Sequence, residues 1–317
     1  MADPLALETR ATRLFNIRYP IIQAGMVWAA GSRLAAAVSE AGGLGMIGAG
    51  SMKSDLLRDH IRAAREATAR PFAVNIPLLR GDVRELIRTV IGEGVKIVFT
   101  SSGHPALFTA ELKNAGCTVV HVIAAVKHAR KAVEAGCDAV VAEGCEAGGH
   151  NGVDEITTLA LVPQVRDAVD VPLLAAGGIA DGRGLAAALA LGADGVQVGT
   201  RFAATVESSA HENYKKAVVG AGDGGTVLTL KKLAPVRMLR NPFAAKAVAA
   251  ERSGASREEL EALLGRKREM MGIFEGDTEE GELEAGQSSG LVKEILPAGE
   301  VVRRMMDEYR TVKKNLP

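Results

Sequence analysis

Eight short apolar runs, separated by longer segments with helical spacing, constrain what this chain can fold into more than any other feature. The runs fall at 21–24, 44–48, 72–76, 96–100, 118–123, 139–142, 173–176 and 195–198. Between them, 32–41, 55–67, 83–91, 105–114, 126–135, 156–168 and 182–191 read as helices. Eight strands alternating with helices suit an α/β fold of the closed (β/α)8 TIM-barrel type, which takes roughly 200–250 residues. A doubly wound open sheet shares the alternation, so glycine placement has to separate the two. The first glycine-rich stretch, "EAGGLG" at 40–45, precedes a strand, whereas a dinucleotide fingerprint follows one.

The periodic unit ends near residue 207, which divides the chain into a barrel, 1–207, and a mostly helical cap and substrate region, 208–317, whose last helix packs back on the barrel. Within the cap, 252–268 reads as helix and 272–286 as loop, with the acidic stretch 275–282 expected on the solvated surface. Composition excludes several classes of function. Thirty-eight basic residues balance thirty-eight acidic ones, so no global charge argues for nucleic acid or an anionic membrane. The cysteines Cys117, Cys137 and Cys145 form no paired motif, and a reducing, cytoplasmic setting is expected. The first eighteen residues lack the pattern of a signal peptide, and no stretch reaches the roughly twenty apolar residues of a membrane-spanning helix.

In a barrel of this kind, chemistry gathers at the C-terminal ends of the strands. Those ends supply Gly25-Met26-Val27, Asn75, Ser101 to His104, Glu143 to Gly152, Gly177-Gly178 and Gly199-Thr200. The last two loops are those that often bind phosphate in such barrels, and their glycines let backbone N–H groups approach an anion. No GxxxxGK[ST] loop is present, and no GxGxxG loop follows a strand, so a mononucleotide cofactor is expected, its ring near Met26, Asn75 and Glu143.

The loop "EGCEAGGHNG" at 143–152 carries the candidate acid/base residue, His150. An imidazole titrates near neutrality, and this one stands at a strand end. An isolated loop histidine is more often structural, so placement rather than residue type makes the case. His104, also at a strand end, is its rival; His60, His128 and His211 fall on helices or just after the barrel, and His121 lies within a strand. No pair of histidines has a metal-ligand spacing, so no metal is expected. Cys145 has no basic neighbour in sequence to activate it as a nucleophile. Trp28 either lines the pocket or packs beneath the first loop.

These motifs resemble a known family. "IIQAGMVWAAG", "AGGLGMIGAGSM", "PFAVNIPLL", "AEGCEAGGHNG", "PLLAAGGIADGRGLAAALALGADGVQVGTRF" and "GELEAGQSSGLV" are similar, in order and spacing, to the FMN-dependent nitronate monooxygenases, formerly 2-nitropropane dioxygenases. The type II enoyl-acyl-carrier-protein reductases belong to the same family. The resemblance implies a capped barrel with noncovalent FMN, held by Gly25, Met26, Asn75, Glu143, Gly148, Gly149, Gly177, Gly178, Gln197, Gly199 and Thr200, with Val27 beside them. It also implies that Ala285, Gly286 and Gln287 close over the cofactor from the tail, that His150 is the acid/base residue, and that the protein is a homodimer. The overall pattern favours the reductase branch, in which NADH or NADPH is co-substrate and the 2,3 double bond of a small or carrier-linked enoyl thioester is reduced in fatty acid synthesis. The alternatives are oxidation of alkyl nitronates with oxygen, and NAD(P)H:quinone reduction.

Overall fold

Along each of the eight expected strands the side chains sort into two buried layers with a period of two, as strands covered on both faces require. In the strand near 97–101, for example, Ile97 and Phe99 face one cluster and Val98 the other. The computed structural model describes residues 6–315, so the outermost ends of both expected units lie outside the described residues. Its strands are β1 (Ile21–Gln23), β2 (Gly45–Gly48), β3 (Phe72–Pro77), β4 (Ile97–Ser101), β5 (Thr118–Ile123), β6 (Ala139–Glu143), β7 (Gly149–His150), β8 (Leu173–Ala176), β9 (Gly195–Val198), β10 (Thr226–Thr229) and β11 (Val236–Leu239). Eight of them pair in parallel in the order β1-β9-β8-β6-β5-β4-β3-β2. A parallel bridge between Ile22 and Leu44, with the Gln23 N–H donating to the Leu44 carbonyl at 2.9 Å, joins the two edges and closes the ring. This is the (β/α)8 TIM barrel.

Ile22, Met46, Phe99, Val120, Val141 and Leu174 fill the ring, and Phe15 plugs its N-terminal end. Phe15 comes from the helix Arg10–Phe15, started by a Thr9–Thr12 capping box and ended by Asn16 in a left-handed conformation. Its ring centroid lies 5.9 Å from that of Phe99. The outer layer packs the strands against the surrounding helices through residues such as Val98, Val119, Val140, Leu57, Leu86 and Leu161. The last helix, Ala298–Asn315, buries Val301, Val302, Met305 and Met306 in this same layer. There it meets the helix Gly182–Ala190, whose Gly182 N–H donates to Glu308 Oε2 at 2.8 Å.

The region after the barrel differs from expectation in three places. It contains a three-stranded antiparallel sheet, β10-β11-β7, packed on its own cluster of Leu230, Val236, Met238, Phe243 and Leu260. The stretches at 226–229 and 236–239, TVLT and VRML, mix polar with apolar residues and stand outside the repeating strand–helix unit, so neither reads as a strand in sequence. The helix expected over 252–268 is confined to Arg257–Leu264, because Gly254 takes a positive φ and Ser256 starts a new helix with a Glu259 capping box. The acidic stretch is not all solvated: Glu282 is only 4% exposed.

Phe15→Ala should lower the unfolding free energy by about 3–5 kcal/mol, the usual cost of emptying a buried aromatic site. Urea denaturation measures this, and an unmoved midpoint would show that the N-terminal helix is no part of the barrel core.

Candidate active site

The inward-facing layer of the barrel changes character at its C-terminal end. Ala73, Phe99 and Val141 lie in the apolar interior, and the residues two further along, Asn75, Ser101 and Glu143, continue the same face into a cavity of about 600 Å³. Gln197, between the outward-facing Val196 and Val198, joins them. A barrel axis that ends in an amide, a hydroxyl, a carboxyl and a second amide has a floor suited to a polar ligand.

One wall is made of backbone. Gly177 and Gly178 have φ of +95° and +74°, the left-handed region that favours glycine. The N–H groups of Gly178 and Ile179, and those of Thr200 and Arg201 at the next strand end, donate to no protein acceptor among the described residues. Four free donors over two adjacent loops are what an anionic group needs. Across from them the tail comes in close: the Gly286 N–H donates to Thr200 Oγ1 at 2.9 Å, and a Cβ on Gly148 would lie 2.6 Å from the Ala285 carbonyl carbon.

The loop carrying His150 is stapled rather than loose. Glu146 turns inward and accepts from the Thr158 N–H at 2.9 Å and from the Thr158 hydroxyl at 3.1 Å, capping the helix Thr158–Ala168. Arg237 Nε donates to the Cys145 carbonyl at 2.8 Å, and the Asn151 N–H donates to the Pro235 carbonyl at 2.8 Å. Between those ties β7 pairs with β11, Val236 opposite His150 and Arg237 opposite Gly149. His150 is thereby held by the cap and opens into the cavity, with Nδ1 3.7 Å from Glu284 Oε1.

Burial sets the electrostatics. Desolvation pushes the Glu143 carboxyl up to about 7. It does the same to Glu284, to about 7, with help from the charge of Glu269, and to Glu282, to about 8, with help from Glu284. Burial and Glu146 raise the Cys145 thiol, which leaves it in the unreactive form. His121 is lowered to about 4 by burial and lies with Nδ1 2.7 Å from Thr100 Oγ1, a structural histidine.

Of the residues expected at the site, Gly25, Met26, Val27, Asn75, Glu143, Gly148, Gly149, His150, Gly177, Gly178, Gln197, Gly199, Thr200 and Gly286 line this one cavity. Ala285 and Gln287 do not line it: Ala285 is buried in the apolar cap cluster, and the exposed Gln287 ties its N–H to the Glu146 carbonyl at 2.9 Å. His104 lies on the rim, where its ring accepts from the Ala106 N–H at 3.3 Å. Trp28 packs on Phe274, ring centroids 5.7 Å apart, beneath the first loop. Sequence reasoning missed Glu284, Tyr214, His128 and Lys131, which also line the cavity. His128 and Lys131 share one helix face at a spacing of three, a signal that was available; Glu284, inside an acidic stretch, gave none.

The polar barrel floor and the unpaired N–H groups beside it make a site for an anionic cofactor at the mouth of the barrel, with His150 opening onto it. Comparison with known proteins narrows the assignment. The family model described as "Nitronate monooxygenase" matches residues 8–89 and 80–308. The (3aS,4S,5R,7aS)-5-hydroxy-7a-methyl-1-oxo-octahydro-1H-indene-4-carboxyl-CoA dehydrogenase of Mycobacterium tuberculosis is 34% identical over 95% of this chain and 96% of its own. Among solved structures, FabK from Thermotoga maritima is similar at a TM-score of 0.93 and 46% identity, covering 97% of this chain and 98% of that one. A nitroalkane oxidase from Streptomyces ansochromogenes follows with a TM-score of 0.84 and 31% identity, over 98% of this chain and all of the other. The chain belongs to the nitronate monooxygenase family and is an oxidoreductase. Among the described residues no helix is long and apolar enough to cross a membrane, and no group of three or more His, Cys, Asp or Glu is placed to hold a metal ion.

The buried carboxyls give a pH signature in the protein free of ligand. Glu143 is raised above its ordinary value of 4.5, so its contribution to stability is complete below that pH and is lost as pH rises through about 7. Glu143→Gln keeps the shape without the ionisation, and should lose less stability than wild type between pH 5 and 8. Urea denaturation at the two pH values decides, and equal losses would contradict the burial argument.

Proposed function

We propose that the chain is an FMN-dependent reductase of enoyl thioesters that uses NADH or NADPH. The observation that carries this reading is the meeting, in one cavity, of the unpaired N–H groups of Gly178, Ile179 and Thr200, the polar floor of Asn75, Glu143 and Gln197, and the stapled His150. The donor set fits FMN. Gly177, Gly178, Gly199 and Thr200 would hold the phosphate; Gly25, Met26, Val27, Asn75, Glu143, Gly148, Gly149, Gln197 and Gly286 would surround the rest. Ala285 and Gln287 would act from behind, by packing and by fixing the tail. When bound, FMN supplies the redox chemistry, taking two electrons from the nicotinamide and delivering them to the acceptor. The protein's share is to place the substrate and move the proton: His150 supplies one proton to the α-carbon as the double bond is reduced at the β-carbon.

Identity of 46% to FabK against 31% to nitroalkane oxidase supports the reductase branch over nitronate oxidation. The carboxyl-CoA named in the Mycobacterium tuberculosis relative supports a thioester as the substrate class. The family model's own description favours a second reading, nitronate oxidation, in which His150 takes a proton from a nitroalkane. Purified protein should be yellow and release FMN on denaturation. Anaerobic NADH or NADPH should bleach it, and an enoyl thioester should restore the colour; no bleaching by either nicotinamide, with rapid oxygen uptake on nitronate, would move the assignment to the second reading. His150→Ala should retain FMN and slow the thioester half-reaction by roughly 10²–10⁴-fold.

The open end of the cavity carries the exposed His104, His128 and Lys131, and Lys131 is the one Lys or Arg lining it among the described residues. This rim suits the phosphate of a coenzyme A or carrier-bound pantetheine. Lys131→Ala should raise KM for a coenzyme A thioester about 5-fold, the size of one exposed charge contact near 1 kcal/mol. The N-acetylcysteamine thioester, which has no phosphate, should keep its KM; parallel changes in both would remove Lys131 from phosphate recognition.

A further inference from the structure

One edge of β11 is shared by two segments in succession. Val236 pairs with His150 and Arg237 with Gly149, and the next residue, Met238, bridges to Glu284. His150 and Glu284 therefore stand two rungs apart along a single edge, and side chains at that interval project to the same face. Their polar atoms meet there, His150 Nδ1 3.7 Å from Glu284 Oε1. That is longer than a hydrogen bond, and acid/base pairs commonly tighten from such a distance when ligand binds. The backbone that carries Glu284 is fixed: Tyr214 Oη donates to the Glu284 carbonyl at 2.6 Å, and the Leu239 N–H donates to the Leu283 carbonyl at 2.9 Å. Both side chains open into the cavity.

We propose that Glu284 is the positioning residue for His150: as a carboxylate it holds the imidazole proton on Nδ1 and turns the unprotonated Nε2 toward the substrate. The proposal rests on His150 being the acid/base group. The arrangement serves either direction of proton transfer. As base, His150 receives at Nε2; as acid, it gives the Nε2 proton away and is left with the Nδ1–H form that Glu284 stabilises.

The groups around Glu284 are His150 from β7, Glu282 from its own extended segment, Glu269 at the start of the helical turn Met270–Phe274 and Tyr214 from the helix Glu212–Val219, with Arg268 acting on Glu282. Burial, and then Glu269, put Glu284 at about 7. It is a neutral acid below that value and a carboxylate above it. The hold on Nδ1–H therefore strengthens as pH rises through neutrality.

Nitrogen-15 NMR of histidine-labelled holoenzyme reads the tautomer directly, the His150 signals being assigned by their loss in His150→Gln. In wild type the Nδ1–H fraction should rise between about pH 6 and pH 8, the span around an acid of raised pKa. Glu284→Gln keeps an acceptor but cannot ionise, so the Nδ1–H form should persist without that pH dependence. Glu284→Leu removes the acceptor; the proton should move to Nε2, and the thioester half-reaction should slow about 10–100-fold, as loss of an outer partner does. An unchanged tautomer ratio in Glu284→Leu overturns the proposal, as does an unchanged pH dependence in Glu284→Gln, which is the milder substitution if the leucine variant does not fold. Because the tautomer is read without substrate, a Glu284-dependent tautomer in an enzyme inert toward enoyl thioesters would sink only the proposed reaction.

Discussion

Closure of the barrel between Ile22 and Leu44 is the constraint on which everything else depends. An open sheet spreads its strand ends along a line, whereas a closed ring turns all eight toward one axis. Only then do Asn75 on β3, Glu143 on β6 and Gln197 on β9, far apart in sequence, face a common space. The period of two that packs Phe99 and Val141 into the interior then delivers Ser101 and Glu143 to the floor of the cavity. Packing and chemistry use the same alternation, one layer apart.

The barrel was legible because each of its strands carries a compact apolar run bounded by turns, and because strand ends predict loop positions in this fold. The boundaries agree within about two residues, and the loops after β8 and β9 lie where glycine placement indicated. The cap was much less legible. β10 and β11, TVLT and VRML, stand outside the repeating strand–helix unit that marked barrel strands of the same length, and β7 is only two residues. Glu282 and Glu284 show the same limit in another form. In sequence they belong to an acidic, glycine-broken stretch that reads as solvated; in the fold they lie on one side of an extended segment whose alternate residues, Leu283 and Ala285, are drawn into the apolar cluster of the cap. Burial of a carboxyl is decided by what its neighbours pack against, and that information is not local.

Carboxyls withdrawn from water without a close ion pair are costly, and proteins lower the cost by letting the pKa rise until the neutral acid prevails. Glu143, Glu282 and Glu284 all follow that course. Each therefore changes charge near physiological pH instead of several units below it. Two of the three are in the cap, within reach of the only histidine that is both stapled to β11 and open to the cavity.

The origins of the site residues imply a division of labour. Barrel strands and their immediate turns provide the floor and the unpaired N–H groups, so the part of the site suited to a cofactor is built by the barrel itself. His150 and Glu284 are placed by β11, which lies outside the barrel and pairs with both. A change in β11 or in the 282–286 segment can re-aim the acid/base pair while leaving the floor of the cavity untouched. Under the roles proposed for His150 and Glu284, a single cofactor cradle can serve either direction of proton transfer, because the groups that would move the proton are held by the cap and not by the barrel floor.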